Sequence, residues 1–87
     1  MYVIAVYDVA SERTSKMLSL CRRYLNWIQN SVFEGEISPL QLRELEEAAR
    51  ELLDLSSDSF IVFRNTHVHR LERTIIGRER MPTDQFL

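Results

Sequence analysis

The stretch ISPLQL, residues 37–42, predicts where a helix begins. Ser38 supplies a hydroxyl at the N-cap, Pro39 suits the first helical position, and Gln41 stands three residues after the cap, as in a capping box. The first and last residues of the stretch are aliphatic and can pack together across the cap as a hydrophobic staple. A helix therefore starts at this point and divides the chain into two halves.

Downstream of this boundary, the sequence predicts a helix, a buried strand and an edge strand. The helix stops near Ser56-Ser57-Asp58, and its outer side is rich in glutamate. The segment Phe60 to Phe63 is apolar on both sides, as a buried strand is. We expect a turn near Asn65-Thr66 and then an edge strand from about Leu71 to Ile76, which Gly77 ends. The inward positions of the helix are Leu42, Leu45, Ala49, Leu52 and Leu53.

Upstream of the boundary, the pattern predicts a strand, a helix and a second strand-like segment. Tyr2 to Asp8 alternates and is rich in β-branched and aromatic residues, which favours a central strand. A helix follows from Ser11, the candidate N-cap, to about Leu25. Trp27 to about Glu36 is one bent strand or two short ones, since Gly35 marks a bend. The apolar stripe of the first helix comprises Met17, Leu18, Cys21, Tyr24 and Leu25.

This order of elements predicts an α+β fold in which two helices cover a small sheet. With 87 residues the chain forms one domain, because no Pro/Gly/Ser-rich segment divides it. The order corresponds to a ferredoxin-like βαββαβ sandwich with an extra C-terminal edge strand. We assign residues 1–78 to this domain and residues 79–87 to a C-terminal tail.

The strand faces also predict a homodimer. Two helices cover only one face of the sheet, yet the segments Tyr2 to Val6 and Phe60 to Phe63 are apolar on both faces. We expect Trp27 and Phe33 to add to the uncovered face. An apolar surface of this size marks an interaction site, and a second copy of the same sheet, related by a two-fold axis, covers it most simply. A heteromeric partner is the alternative.

Charge is segregated along the sequence, although the net charge of −2 taken alone argues against nucleic-acid binding. Acidic residues dominate between positions 34 and 58, whereas bases dominate before and after them. The separation fits both a nucleic-acid surface and an ordinary solvated face. The basic residues outside the acidic segment are Arg13, Lys16, Arg22, Arg23, Arg64, Arg70, Arg73, Arg78 and Arg80.

The apolar start of the chain is too short for a signal or transmembrane segment, because Asp8 interrupts it. Cys21 is the only cysteine, which excludes a disulfide within one chain and points to a reducing compartment. Its helical spacing favours a core position over a nucleophile. We therefore expect a cytoplasmic protein with no membrane contact.

Asp8 is the main candidate for chemistry. It ends the first strand on the same face as Ile4 and Val6, so a dimer that buries this face brings two Asp8 carboxylates toward one another. Such a pair needs a proton or a cation, and Mg²⁺ binds one or two carboxylates together with water and phosphate. Alternatively, Asp8 accepts hydrogen bonds from amides near Ser11. The pair His67 and His69 is compatible with zinc but lacks a third ligand, so a surface pair is favoured.

Several motifs together resemble the CRISPR-associated Cas2 family, the small subunit of the CRISPR spacer-acquisition complex. The first is an apolar strand ending in Tyr7-Asp8-Val9, and the second is a helix with Arg13 and Lys16 near its start. The most specific is the run Trp27 to Ile37, which contains Gln-x-Ser-Val-Phe-x-Gly. The resemblance covers about residues 1–65.

The resemblance implies a homodimer, a metal-linked nuclease activity in some members, and a structural role that holds a CRISPR integrase around duplex DNA. It implies that Asp8 is the catalytic Mg²⁺ ligand and that Arg13 and Lys16 contact phosphates. It also implies that the last strand pairs with the partner subunit. Trp27 stands where some members have a basic residue, which argues against RNA cleavage. The interface residues it implies are Tyr7, Gln29, Ser31 and Phe33.

Three functions follow from the sequence. The first is a dimeric scaffold that binds duplex DNA through its phosphates and bridges the integrase during spacer acquisition. The second is an endonuclease that cleaves RNA or DNA with Mg²⁺ bound at Asp8; one carboxylate per chain is sparse for such a site, so scaffolding ranks first. The third is a toxin-type endoribonuclease of the same fold, since fold alone does not determine function.

Overall fold

The structure, a computed structural model, describes residues 1–67 and 70–78, and the side chains of residues 1–65 and 72–78. Its two helices and five strands form the α+β fold that the sequence predicts. The elements in chain order are β1 (Tyr2–Asp8), α1 (Ser11–Arg22), β2 (Asn26–Gln29), β3 (Val32–Glu36), α2 (Pro39–Leu52), β4 (Ser59–His67) and β5 (Arg70–Gly77).

The five strands form one sheet in the order β2-β3-β1-β4-β5, and each neighbouring pair is antiparallel. β1 is central, as its apolar sequence predicts, and lies between β3 and β4. β5 adds to the outer side of β4 as the predicted edge strand. Within the chain, β5 pairs with β4. The pairing of this strand with a partner subunit, which the resemblance implies, stays a prediction.

The core lies between the two helices and one face of the sheet. Alternate residues of β1, namely Val3, Ala5 and Tyr7, point into it and are at most 6% exposed. The ring of Tyr7 stacks on that of Phe33, with 5.9 Å between centroids. The helices contribute Met17, Leu20, Cys21, Leu42, Leu45 and Ala49 to this core.

The capping box at the start of α2 is present as predicted. The Gln41 amide donates to the Ser38 hydroxyl at 3.1 Å, and the Ser38 amide donates to the Gln41 side chain at 2.9 Å. The helix ends at Leu52, before the predicted serine pair. Leu53 caps it and turns its side chain into the core.

Two short strands, not one bent strand, occupy the segment before α2. Asn30, with φ of 46°, forms the turn between them, and the register shifts between Trp27 and Gln29. Phe33 pairs with Ala5 and therefore faces the helices. The expectation that Trp27 and Phe33 enlarge the uncovered sheet face is wrong, because the pairing with β1 turns Phe33 inward and Trp27 lies opposite Phe33 on the same side.

Three other boundaries differ from the prediction. The N-cap of α1 is Ala10 rather than Ser11, and the helix ends at Arg22 rather than near Leu25. The chain does not turn at Asn65-Thr66, because pairing with β5 keeps β4 extended to His67 with a register shift after Arg64. The predicted tail, residues 79–87, and His69 lie outside the described residues.

Candidate functional site

Asp8 lies at the exposed end of β1, on the sheet face opposite the helices. This open face carries Ile4 and Val6, which are partly buried, whereas Val3, Ala5 and Tyr7 point into the core. The alternation along β1 therefore confirms the predicted face of Asp8. Across the sheet, Asp8 pairs in register with Ser59 of β4.

A row of four aliphatic side chains crosses the open face beside Asp8. Val6 lies opposite Val32 on one side and Ile61 on the other, and Ile61 lies opposite Ile75. Directly opposed residues in antiparallel strands share a face, so the four side chains form one continuous strip, which we call the aliphatic row. Each is only partly buried. Asp8 is two residues beyond Val6 and thus occupies the next row on the same face.

The turn between β1 and α1 is held by a buried carboxylate that the sequence did not single out. Asp58 is 1% exposed and accepts hydrogen bonds from the Ala10 amide at 3.0 Å and the Asp54 amide at 3.0 Å. The Arg13 guanidinium binds the same carboxylate, with Nε at 2.5 Å from Oδ2 and Nη2 at 3.1 Å from Oδ1. These contacts fix the backbone two residues after Asp8.

The Arg13 hydrogen bonds, which have the largest effect, and those from the amides of Asp54 and Ala10 together lower the pKa of Asp58 to about 2 against the opposing effect of burial. Arg13 is therefore occupied by a structural ion pair, and its side chain is 22% exposed. The sequence signal for this pair was an aspartate directly before a buried strand. Because Asp58 and Arg13 are 45 residues apart, no local pattern joins them.

Lys16, the second predicted phosphate contact, is exposed on α1. It lines a shallow groove between α1 and α2 together with Ser15, Ser19 and Arg23. Two cations and two hydroxyls therefore border this groove, on the helix side of the molecule. The structure thus separates Lys16 and Arg23 from the open face that carries Asp8.

The four residues predicted at the dimer interface fall into two groups. Tyr7 and Phe33 are buried in the core, where their rings stack, so their side chains are occupied within the chain. Gln29 is exposed at the end of β2, and Ser31 is partly exposed in the turn that follows. The Ser31 carbonyl accepts a hydrogen bond from the Tyr7 amide at 3.2 Å, which ties this turn to β1.

Comparison with known proteins gives the chain its family. The family model described as CRISPR associated protein Cas2 matches residues 1–73. The chain belongs to the Cas2 family. Proteins named CRISPR-associated endoribonuclease Cas2 are similar along most or all of their length, and their names state a nuclease. The one from Pyrococcus furiosus is 36% identical over 87 residues, all of both chains, and the one from Frankia alni is 46% identical over 77 residues, 88% of each chain.

Solved Cas2 structures share the fold. A crystal structure of a protein named cas2 is 41% identical, covers 94% of this chain and 92% of its own, and has a TM-score of 0.70. Cas2 of Streptococcus pyogenes, crystallised at pH 6.5, is 28% identical, covers 75% of this chain and 86% of its own, and has a TM-score of 0.68. The ferredoxin-like architecture predicted for the chain is thereby confirmed.

Asp8 is the residue of this Cas2 chain that is predicted to bind a metal ion. No group of three or more His, Cys, Asp or Glu side chains able to hold an ion occurs among its described residues. Asp8 alone fits Mg²⁺ as one oxygen ligand, since Mg²⁺ keeps several waters and accepts one or two carboxylates.

Cys21 is buried, and burial raises its pKa to about 12, so the thiol is a core group and not a nucleophile. Neither helix of the described chain is long and apolar enough to cross a membrane.

Proposed function

We propose that the chain is a homodimeric, Mg²⁺-dependent endoribonuclease of the CRISPR system, with Asp8 as the metal-binding residue. One observation carries the proposal: Asp8 is exposed on the open face, in the row of residues next to the aliphatic row. The names of the relatives, CRISPR-associated endoribonuclease, supply the substrate class, and they are the reason to rank RNA cleavage here above the scaffold, which ranks first on the sequence alone.

The aliphatic row supports the dimer. Val6, Val32, Ile61 and Ile75 form a strip across four strands that the helices do not cover. When a second copy of the same strip, related by a two-fold axis, packs against it, both strips leave water. Their burial stabilises the dimer by about 25 cal/mol per Å² of apolar surface. When the two-fold axis runs along the strands, Asp8 and its symmetry mate lie at the same border of the buried strip.

Two Asp8 carboxylates at such a border repel each other unless a cation lies between them or beside them. When bound there, Mg²⁺ supplies charge for a phosphate oxygen of the substrate and lowers the pKa of a water. The protein's own contribution is to hold Asp8 at a fixed place. Two contacts provide this rigidity: Asp8 pairs with Ser59 of β4, and the Ala10 amide donates a hydrogen bond to Asp58.

The test is Asp8→Asn, which keeps the shape of the side chain and removes its charge. We expect Mg²⁺-dependent cleavage of single-stranded RNA to fall by about two orders of magnitude or more, while circular dichroism and sedimentation remain as for the wild-type protein. Glu44→Gln, an exposed carboxylate on the outer side of α2, is the matched control and should cleave normally. Cleavage by Asp8→Asn at the normal rate would remove Asp8 from the site.

A second candidate function is the duplex-DNA scaffold that bridges an integrase. The observation that favours it is the groove between the helices, where Lys16 and Arg23 lie on the helix side, away from Asp8. Phosphate contacts position DNA without reading its sequence, which suits spacers of arbitrary sequence. In this function Asp8 is dispensable for DNA binding.

The double variant Lys16→Gln with Arg23→Gln tests the scaffold. Removal of the two cations should weaken duplex binding and reduce the dependence of log Kd on log salt by roughly one unit for each phosphate that the variant no longer neutralises. Arg43→Gln with Arg50→Gln removes the same charge from α2 and serves as the control, because both arginines are exposed there. An equal effect of both double variants would show that only net charge matters and would refute the groove as the binding site.

A further inference from the structure

Trp27 of the edge strand β2 and Arg22 at the end of α1 form an exposed pair. The Arg22 guanidinium carbon lies 5.6 Å from the centroid of the Trp27 ring, within the range of a cation–π interaction. The indole Nε1 donates a hydrogen bond of 2.8 Å to the Asn30 carbonyl, so the ring is held at a fixed orientation. Even with both contacts made, the residue stays 50% exposed.

This exposure is unusual for the largest apolar side chain. Trp27 pairs across the ladder with Phe33, which is completely buried, so the neighbouring position on the same face belongs to the core. Tryptophan is favoured at surfaces that bind a partner, because its ring offers a large area at a low cost in conformational entropy. The Asn30 hydrogen bond lowers that cost further, since the ring is already ordered.

We propose that Trp27 and Arg22 form a stacking platform for an unpaired nucleotide of single-stranded nucleic acid. Proteins that bind single strands combine aromatic rings, on which bases stack, with cations that follow the backbone. Here the ring is Trp27, and the cations are Arg22 beside it and Arg23, which also lines the groove with Lys16. The inference rests on the proposed function only in assigning nucleic acid as the ligand.

The charge around the platform supports a nucleic acid over a protein edge as the occupant. Three exposed cations, Lys16, Arg22 and Arg23, lie on α1 or at its C-terminal cap, and no acidic residue occurs between positions 13 and 33, whereas Arg13 is already paired with Asp58. A protein segment that adds to β2 by strand pairing needs no such excess, whereas a phosphodiester chain requires it. The base then stacks on the exposed part of the ring, and the following phosphate meets Arg22 and Arg23.

Trp27 is the only tryptophan of the chain, so its fluorescence reports on stacking directly. The protein is titrated, in buffer with EDTA to prevent cleavage, with a short single-stranded RNA, with single-stranded DNA of the same sequence, with the matching duplex and with inorganic polyphosphate. We expect either single strand to quench the emission strongly. The duplex should quench weakly, because its bases are already stacked, and polyphosphate should bind without quenching because it has no bases.

Binding by Trp27 variants is measured by the anisotropy of a labelled single strand. Trp27→Ala should weaken binding about 5- to 150-fold, the range for removal of one stacked base. Trp27→Phe keeps an aromatic face and should bind within a few fold of the unchanged protein, which also provides a test if Trp27→Ala fails to fold. Ile28→Ala is the matched control, since Ile28 is 49% exposed on the same strand, and should have no effect.

Two results would overturn the platform: quenching by polyphosphate as strong as by RNA, or a Trp27→Ala variant that is folded and binds the single strand as tightly as before. Its failure and that of the proposed function are distinguishable. RNA cleavage without quenching overturns the platform alone. Quenching by RNA combined with an absence of Mg²⁺-dependent cleavage supports the platform and overturns the proposed nuclease.

Discussion

Replacement of Asp58 by asparagine tests the arrangement that holds the β1–α1 turn. Asp58 is buried and accepts hydrogen bonds from two backbone amides and from Arg13. Asparagine retains one carbonyl oxygen for an amide but loses the charge that binds the guanidinium. The variant therefore leaves the shape of the side chain almost unchanged but removes the ion pair and one of the two acceptors for the backbone amides, because the asparagine nitrogen donates where a carboxylate oxygen accepts.

The size of the effect follows from the pKa of Asp58, which the fold lowers from 3.8 to about 2. A difference of this size corresponds to roughly 2 kcal/mol of folding free energy at neutral pH. Solvent screens the carboxylate little, because it is 1% exposed, whereas Arg13 is 22% exposed and can turn partly to water. We therefore expect Asp58→Asn to lower the free energy of unfolding by about 2–3 kcal/mol, less than for a fully buried pair.

The sign of the pH dependence is fixed by the lowered pKa. The contribution of Asp58 is complete above the unfolded value of 3.8 and disappears as the pH falls through about 2. By linkage, the unchanged protein loses about 1 kcal/mol of this contribution by pH 3 and about 2 kcal/mol by pH 2. The free energy of unfolding of Asp58→Asn should therefore fall less on acidification than that of the wild-type protein, by the amount that Asp58 contributes.

Urea unfolding at fixed protomer concentration measures these differences, because association changes apparent stability. The pair is isolated by a double-mutant cycle of Asp58→Asn and Arg13→Gln at neutral pH, with an expected coupling of about 1 kcal/mol or more. Two results refute the reasoning: single effects that add within about 0.5 kcal/mol, or an acid sensitivity of Asp58→Asn equal to that of the unchanged protein.

Three further predictions concern local packing. Gly77 has φ of 99°, and a Cβ there would lie 2.1 Å from the Asp58 carbonyl oxygen. Gly77→Ala should therefore lower the free energy of unfolding, measured in urea, by at least about 2 kcal/mol. Gly35→Ala, whose Cβ would lie 3.3 Å from a Leu25 methyl, should lower it clearly less. Ser38→Ala removes the capping box of α2 and should cost about 1 kcal/mol in the same assay. Cys21, with a pKa raised to about 12 by burial, should resist a disulfide reagent at neutral pH until urea unfolds the protein; fast native reaction would contradict its core position.

The sequence predicted best what depends on neighbouring residues. The capping box joins Ser38 to a residue three positions later, and the face of Asp8 follows from alternation within a single strand. Both are complete within one element, so their patterns are visible without the fold. The edge position of β5 could be inferred in the same way, because its sequence is less apolar than that of β4.

Features that depend on contacts between elements were missed or misplaced. The alternation around Phe33 gives two faces but does not tell which one points inward; pairing with Ala5 of β1 decides this. The turn expected at Asn65-Thr66 is absent because pairing with β5 keeps β4 extended. The residues of β4 alone do not indicate this pairing. The Arg13–Asp58 pair joins residues 45 positions apart, so no local pattern indicates it, and charge and the family resemblance predict a phosphate contact for Arg13 instead.

This pair also decides how nucleic-acid binding by variants can be interpreted. Charge reversal at Arg13 leaves the Asp58 carboxylate buried without its cation, and the same carboxylate binds the Ala10 amide two residues after Asp8. Reduced binding or cleavage in such a variant can therefore result from a displaced Asp8 rather than from the removal of a cation that binds phosphate. Lys16 carries no such role among the described contacts, since it is exposed on α1 and borders the groove. A change at Lys16 thus tests phosphate binding separately from the position of the candidate metal ligand.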